Sequence, residues 1–149
     1  MSIDFDSVHA HLAVFDMPRA LDFYCGVLGF GVANSAGEPP DCDWLMLRYG
    51  TVELMLNTQY DREERPAQAD AARAGAHQDT TLYFCCASPD SVYEHLRKCG
   101  VASVQPPNDS WYGMRQVYVN DPDRYLLCFQ CPSSTLPQAR AAEVGSLGG

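Results

Sequence analysis

The stretch that decides the fold is residues 9–30, which read His9-Ala-His-Leu-Ala-Val-Phe-Asp-Met-Pro-Arg-Ala-Leu-Asp-Phe-Tyr-Cys-Gly-Val-Leu-Gly-Phe30. Its beginning alternates in hydrophobicity and predicts a strand over Val8–Val14. Asp16 is a suitable N-cap and Gly29 a suitable stop for a helix over Pro18–Leu28, whose proline lies in the first turn. This part of the sequence therefore predicts a strand followed at once by a helix.

The same order of signals recurs in the second half of the chain. Thr81–Cys86 is typical of a strand, Ser88 is a suitable N-cap, and Gly100 follows a helix predicted over Pro89–Cys99. An internal repeat of this kind predicts two copies of one structural unit.

Three further strand signals follow each predicted helix. In the first half they are Phe30–Asn34, Trp44–Tyr49 and Thr51–Asn57, with Gly50 at a tight turn between the last two. In the second half they are Ala102–Val104, Met114–Val119 and Tyr125–Cys131, with a turn at Asp121-Pro122-Asp123. The predicted fold class is therefore α+β, with two βαβββ modules that form curled sheets around a groove.

The predicted domain organisation is one domain over residues 1–132. Its modules cover about residues 7–57 and 80–132, and a polar, alanine-rich linker, 58–79, joins them with a helical turn near Ala67–Arg73. Residues 133–149 contain few apolar side chains that could be buried, so we expect them to form a mobile tail.

The composition excludes several classes of partner. The chain of 149 residues has 19 acidic and 10 basic residues, a formal net charge of −9, which disfavours nucleic acid. No apolar run approaches the roughly 20 residues of a membrane-spanning helix, and the N-terminus lacks the features of a secretory signal. We therefore expect no membrane partner and a cytoplasmic protein, whose seven cysteines act as reduced, small apolar residues.

The motifs resemble the vicinal oxygen chelate superfamily, which includes glyoxalase I, extradiol dioxygenases, and fosfomycin- and bleomycin-resistance proteins. Residues 9–30 are similar to its H-x-x-L-x-V-x-D…F-Y-x-x-x-L-G-F stretch, and 50–56 to its fourth strand. Residues 112–123 are similar to its penultimate strand and turn, so the resemblance covers about residues 7–132. It implies a small-molecule ligand and a homodimer in which one subunit's first module pairs with its partner's second.

The resemblance also identifies the positions at which metal-dependent members hold their ion. These positions are His9 and Glu53 in the first repeat, and Thr81 and Cys128 in the second, where the family has His and Glu. Threonine is a poor ligand, and two good ligands rarely hold a divalent ion against water. We expect a metal-free pocket, with Zn, Ni, Mn or Fe as the alternative, and His77 as a reserve ligand.

Without a metal, the Glu53 carboxylate needs a hydrogen-bond donor. His9 is the nearest candidate and Arg48 a second, so we expect His9 and Glu53 to lie within hydrogen-bond reach. The closed modules of the family imply that Thr81 and Cys128 occupy the matching places in the second repeat. His95, on the second helix, is expected to face solvent.

Strand alternation assigns the other groove residues, because side chains two apart share a face. The predicted ligand-binding set is His9, His11, Trp44, Arg48, Glu53, Tyr83, Trp111, Tyr118 and Cys128. Such a lining suits planar aromatic or cationic molecules.

Three functions fit this sequence. The first is a non-enzymatic binder of a small molecule, similar to bleomycin-resistance proteins. The second is a metal-dependent lyase, dioxygenase or thiol transferase of the glyoxalase type. The third is a metal-free enzyme that uses His9 or Glu53 as a general base, so the sequence leaves open whether a reaction is catalysed.

Overall fold

The computed structural model describes residues 2–137. The chain divides between Ala71 and Ala72 into two compact units, and each unit contains one four-stranded sheet. A short 3₁₀ turn, Ser133–Thr135, follows the last strand, while residues 138–149 of the predicted tail lie outside the described residues.

The first unit contains strands β1 (Ala10–Val14), β2 (Gly31–Ser35), β3 (Trp44–Tyr49) and β4 (Val52–Thr58), in the order β1-β4-β3-β2. Helix α1 (Met17–Leu21) follows β1 and continues as a π-helical segment, Asp22–Val27. Strand β1 is parallel to β4, and the other pairs are antiparallel.

The second unit repeats this topology with strands β5 (Thr81–Cys85), β6 (Asn108–Asp109), β7 (Met114–Asn120) and β8 (Leu126–Pro132), in the order β5-β8-β7-β6. Helix α3 (Pro89–Lys98) follows β5. The two four-stranded sheets confirm the predicted α+β class with two similar modules.

The segment before β5 contains a 3₁₀ turn, Arg62–Glu64, then α2 (Ala71–Ala76) and a second 3₁₀ turn, His77–Asp79. The helix predicted near Ala67–Arg73 therefore begins later than expected, after Asp70. Among residues 2–137, no helix has the length and apolarity needed to cross a bilayer.

Each unit buries one face of its sheet against its own helix. In the first unit α1 contacts β4, and in the second α3 contacts β7 and β8. Less than 4% of each of these side chains is exposed: Leu12, Val14, Leu45, Leu47, Leu54, Leu56, Leu96, Val117, Val119 and Leu127. The opposite face of each sheet carries the polar and aromatic side chains described below.

Both helices begin at the predicted caps. The Asp16 carboxylate accepts a hydrogen bond from the Arg19 amide at 2.9 Å, and the Ser88 hydroxyl accepts one from the Ser91 amide at 3.2 Å. The chain then leaves each helix at a glycine, with φ 86° at Gly29 and 77° at Gly100. These cap and stop residues account for the similar start and end of the two helices.

The first helix differs from the uniform α-helix predicted over Pro18–Leu28, because its second half, Asp22–Val27, is π-helical. Phe23 and Tyr24 are neighbours in sequence, yet only 6% and 0% of these residues are exposed. The wider π-helical turn accompanies the burial of both rings, whereas sequence periodicity favours one of the two.

The strand predicted over Ala102–Val104 is wrong, because this segment is a turn and the third partner strand is β6, Asn108–Asp109. The Gln105 amide donates to the Tyr118 carbonyl at 2.8 Å, so the segment does run beside β7. Pro106 and Pro107 then follow, and neither has an N–H group to continue the ladder. The ladder therefore forms only beyond them.

The turn between β7 and β8 places Arg124 in the left-handed region, with φ 67°. We expect Arg124→Gly to raise the free energy of unfolding by about 1 kcal/mol, since glycine adopts this conformation without steric cost. Urea denaturation at pH 7 measures the change. Gly113→Ala is the matched control of opposite sign, because Gly113 has φ 86° and an added Cβ there meets no atom within 4 Å. A destabilised Arg124→Gly protein would contradict the expectation.

Candidate functional site

The open face of the first sheet carries a hydrogen-bonded cluster around Glu53. The His9 ring donates through Nε2 to Glu53 Oε2 at 2.7 Å, and Arg48 Nε donates to Glu53 Oε1 at 3.0 Å. About a quarter of the His9 and Glu53 side chains is exposed, against 54% of Arg48. The expected contact between His9 and Glu53 is present, and Arg48 binds the second oxygen of the same carboxylate.

Strand register explains why these three side chains meet. Arg48 and Glu53 are direct partners in the β3–β4 hairpin, and His9 immediately precedes Ala10, the partner of Leu54. Alternation then places the next row of the same face at His11, Met55 and Met46, which are paired in this order across three strands. Trp44 lies one row further, opposite Asn57. A row of one histidine and two methionines thus adjoins the charged cluster.

The two donors stabilise the ionised form of Glu53. The hydrogen bond from His9, followed by the one from Arg48, lowers the pKa of this carboxyl below its ordinary 4.5. The lowered pKa means that the contribution of this cluster to stability is present above pH 4.5 and is lost as the pH falls through the folded-state value.

We expect a titration of the Glu53 carboxyl carbon by NMR to have its midpoint below pH 4.5. His9→Ala is expected to raise this midpoint more than Arg48→Ala does, because the His9 hydrogen bond is the larger cause. Arg19→Ala is the charge-matched control, since Arg19 lies over the Phe15 ring rather than beside Glu53. A midpoint that neither His9→Ala nor Arg48→Ala moves would contradict the assignment of these donors.

The open face of the second sheet has a different centre, a cysteine between two tyrosines. Cys128 on β8 pairs with Tyr83 on β5 and with Tyr118 on β7, and Cys128 itself is fully buried. Thr81 pairs instead with Leu126. The expectation that Thr81 and Cys128 occupy places matching those of His9 and Glu53 is therefore wrong for this pair, because the parallel register pairs Tyr83, not Thr81, with Cys128.

Cys128 and Tyr118, at the centre of this row, are both uncharged at neutral pH. Burial raises the pKa of the Cys128 thiol, and a hydrogen bond from Tyr118 offsets only part of that rise. Burial, then hydrogen bonding with Tyr83, raises the pKa of the Tyr118 phenol. Cys128 is consequently a protonated thiol at neutral pH, which makes it a poor nucleophile and a poor metal ligand.

The next row of this face is a network around Gln116, which is only 3% exposed. Its amide nitrogen donates to the Tyr112 hydroxyl at 2.8 Å and to Gln130 Oε1 at 2.9 Å. Its amide oxygen accepts from the Tyr118 hydroxyl at 3.5 Å. The network fixes the directions of two tyrosines, and the predicted ligand-binding set omitted Gln116. Strand alternation by itself places Gln116 on this face, because it lies two residues before Tyr118 on β7.

The remaining predicted residues lie apart from these clusters. Trp111 is 94% exposed and contacts the Tyr112 ring edge-on, with centroids 5.3 Å apart. His77, the reserve ligand, stacks on Tyr125 at 4.0 Å and donates from Nδ1 to the Asp123 carbonyl at 2.7 Å. His77 is thus part of the packing of the β7–β8 turn. His95 is exposed, as expected.

The donor set of these faces does not fit a resident divalent metal. No three His, Cys, Asp or Glu side chains among residues 2–137 are grouped so that they could hold an ion. In the first sheet Glu53 already receives hydrogen bonds on both oxygens, one of them from the permanently charged Arg48. An ion at this point would have only two side-chain ligands, His9 and Glu53, and would have to replace the hydrogen bond between them.

A cavity of about 430 Å³ in the first unit lies at the other end of β1 from His9. Its lining consists of Phe15, Asp16, Met17, Pro18, Pro40, Asp41, Cys42, Asp43, Thr58, Tyr60, Arg62 and Arg65. The cluster around Glu53 therefore lies on an open sheet face, whereas this cavity belongs to a part of the unit to which the sequence assigned no function.

Comparison with known proteins places these observations in one family. The family model described as Glyoxalase/Bleomycin resistance protein/Dioxygenase superfamily matches residues 7–129. The comparison with curated proteins gave no match.

Several solved structures share the fold at low sequence identity. TioX from Micromonospora sp. ML1 is 24% identical, with 83% of this chain and 98% of TioX covered at a TM-score of 0.64. The bleomycin-binding protein from Streptomyces verticillus, complexed with copper(II)-bleomycin, is 19% identical, with 86% and 97% covered at 0.61. TnmS3, an antibiotic binding protein from Streptomyces sp. CB03234, is 21% identical, with 87% and 100% covered at 0.60.

Proposed function

Because this chain belongs to the Glyoxalase/Bleomycin resistance protein/Dioxygenase superfamily, we propose that it binds a small planar aromatic molecule without a metal ion. Each module offers its own binding surface on the open face of its sheet, with His9, Glu53 and Arg48 in the first module and Tyr83, Cys128 and Tyr118 in the second. A second copy of the chain completes the groove in a homodimer. The protein acts in the cytoplasm, where its thiols stay reduced.

The observation that carries this proposal is the closed cluster around Glu53. Both carboxylate oxygens accept a hydrogen bond, at 2.7 Å from His9 and at 3.0 Å from Arg48, and these bonds stabilise the ionised form, which makes Glu53 a weak general base. A metal ion here would have only His9 and Glu53 as ligands, which favours a metal-free site. Arg48 balances the charge of Glu53 and disfavours a cationic ligand beside it. Of the two predicted classes of ligand, aromatic and cationic, we therefore favour the aromatic class.

The composition of the faces also supports a binder. Met46 and Met55 are paired beside the cluster, and methionine adapts its shape to flat apolar ligands. On the second sheet, Tyr83 is 54% exposed and offers an aromatic ring. Two proteins of the same fold are described as binders of small molecules, one of bleomycin and the other, TnmS3, of an antibiotic, and this supports the same class of function here.

The proposal is tested by titrating the protein, labelled with ¹³C at its methionine methyl groups, with planar aromatic compounds that are neutral, cationic or anionic. We expect neutral compounds to shift the Met46 and Met55 signals while Met17, a residue of the cavity lining, stays unchanged. Glu53→Gln is expected to weaken binding about tenfold without unfolding the protein, because Arg48 and His9 lose their charged acceptor. Glu63→Gln, on the exposed Arg62–Glu64 turn, is the control. If Glu53→Gln bound these compounds with unchanged affinity, the cluster around Glu53 would not be part of the binding site.

The homodimer has its own test. Light scattering at micromolar concentration is expected to give about twice the chain mass of 16.5 kDa. A mass of one chain would exclude the proposed completion of the groove by a second copy.

The metal-dependent alternative is decided by a metal assay on protein purified without chelator. Less than about 0.1 equivalent of any divalent transition metal is expected, because two ligands rarely retain such an ion. Near-stoichiometric zinc, nickel, manganese or iron that is lost in His9→Ala would overturn the proposal in favour of a lyase, dioxygenase or thiol transferase.

A further inference from the structure

The cavity of about 430 Å³ in the first unit has the size of a small-molecule site. It lies beyond the last residue of β1, beside the first turn of α1, and the chain closes it with residues Tyr60 to Arg65 of the linker. Its apolar wall includes Phe15 and Tyr60, whose rings meet edge-on with centroids 6.5 Å apart. The cavity is therefore separate from the cluster around Glu53.

A guanidinium group from the linker already lies in this cavity. Arg65 donates from one terminal nitrogen to Asp16 Oδ1 at 2.7 Å, and its Cζ atom stands 5.5 Å from the centroid of the Phe15 ring. A carboxylate and an aromatic face arranged around one planar cation form a clamp that suits guanidinium and amidinium groups, because these groups both stack and donate in a fork. We call Phe15 and Asp16 the aromatic–carboxylate clamp.

The rest of the lining favours a cation as well. Asp41 forms an ion pair with Arg62, and Asp43 accepts a hydrogen bond from Thr58 at 3.3 Å. The lining thus holds three carboxylates and two guanidinium groups, and both guanidinium groups come from the same short linker segment. If that segment withdrew, the charged side chains left in the lining would be the three carboxylates, while Arg19 of α1 would remain over the Phe15 ring.

The contact that holds Arg65 is of the exchangeable kind. The side chains are partly open to water, with 41% of Arg65 and 29% of Asp16 exposed. Ion pairs of this exposure change an equilibrium by about fivefold or less. An external cation of similar shape can therefore compete with Arg65 for the clamp.

We propose that this cavity is a second ligand site, which takes a small planar cation of the guanidinium or amidinium class. Phe15 provides the stacking face, Asp16 provides the carboxylate, and Arg65 is the internal competitor that the ligand displaces. The site differs from the proposed aromatic-binding surface in its position, in its charge and in the residues that form it.

The test uses benzamidine as the probe and the ¹³C-labelled methionine methyl groups as position markers. Met17 lines the cavity, whereas Met46 and Met55 lie on the open sheet face. Benzamidine is expected to shift the Met17 signal in the unmodified protein. Arg65→Ala is expected to tighten binding about fivefold, because the internal competitor is removed. Arg65→Lys keeps the charge but loses the planar fork. Its affinity for benzamidine is expected to lie between those of the unmodified protein and of Arg65→Ala.

Two further variants separate the clamp from general charge effects. Asp16→Asn in the Arg65→Ala background is expected to weaken binding about fivefold or more while preserving the helix, since asparagine is as good an N-cap as aspartate. Arg97→Ala removes the same charge from the second unit, where Arg97 contacts Tyr93, and is expected to leave the affinity unchanged. Benzamide, the neutral analogue, is expected to leave the Met17 signal of the cavity unchanged.

The proposal fails if benzamidine shifts Met46 and Met55 instead of Met17, or if Arg65→Ala and Arg97→Ala bind it equally. It also fails if benzamide shifts the Met17 signal as strongly as benzamidine does. Glu53→Gln distinguishes the two sites. It is expected to lower the affinity of neutral aromatic ligands for the sheet face and to leave the affinity of the cavity for benzamidine unchanged.

Discussion

Asp121→Ala is expected to lower the free energy of unfolding by about 3 kcal/mol at neutral pH. The residue is 4% exposed, and its Oδ1 atom accepts hydrogen bonds from the amides of Asp123 at 2.9 Å and Tyr125 at 2.8 Å. Removing the carboxylate leaves two buried N–H groups without that acceptor, each at a cost of about 1–3 kcal/mol. The turn that they stabilise joins β7 to β8 and so sets the register of Tyr118 opposite Cys128.

Asp121→Asn is the matched control, because asparagine keeps an oxygen acceptor in the same place. We expect Asp121→Asn to lower the free energy of unfolding by less than half as much as Asp121→Ala does. Some loss is still expected, since a neutral acceptor makes weaker hydrogen bonds than a charged one. Urea denaturation followed by circular dichroism measures both variants. Equal losses in the two variants would mean that acceptance by Oδ1 is not the reason for the burial of this side chain.

Gln116→Leu is expected to lower the free energy of unfolding by about 2–3 kcal/mol. Leucine fills a similar volume but removes the partner of Tyr112, Gln130 and Tyr118 at once. Buried polar atoms that lose their partners carry their full desolvation cost. The same substitution frees the two tyrosines, so we also expect weaker binding of aromatic ligands to the second sheet.

Gln105→Leu serves as the control for this substitution. Gln105 is exposed, and its amide nitrogen makes one long hydrogen bond, at 3.4 Å, to the Ser103 carbonyl. Its replacement is expected to change the stability by no more than about 0.5 kcal/mol. If Gln116→Leu were equally mild, the network would be incidental to the fold.

The sequence predicted those parts of the fold that depend on local chemistry. Asp16 and Ser88 cap the helices, Gly29 and Gly100 end them, and Arg124 adopts the positive φ expected of its turn. These features follow from backbone and side-chain preferences within a few residues. Hydrophobic periodicity, in contrast, could not identify the π-helical segment, which accompanies the burial of two neighbouring rings. It could not place β6 either, because that strand begins only after two consecutive prolines.

The candidate site could be predicted where two residues share a hairpin or a known motif. Arg48 and Glu53 face each other across a short turn, and the motif that contains His9 led to its pairing with Glu53. The partner of Cys128 was missed, because the register between parallel strands separated by a long segment is not encoded locally. Arg65 and Asp16 are 49 positions apart, so no sequence pattern indicates their ion pair.

The paired methionines Met46 and Met55 have a consequence for ligand scope and for oxidation. Unbranched thioether side chains can rearrange around ligands of different outline, so the surface that they form tolerates variation within a class of compounds rather than selecting one member. The same sulfur atoms are half-buried, and their oxidation to sulfoxides would make this row polar. Affinity for flat apolar ligands would then fall under oxidative stress and return on enzymatic reduction.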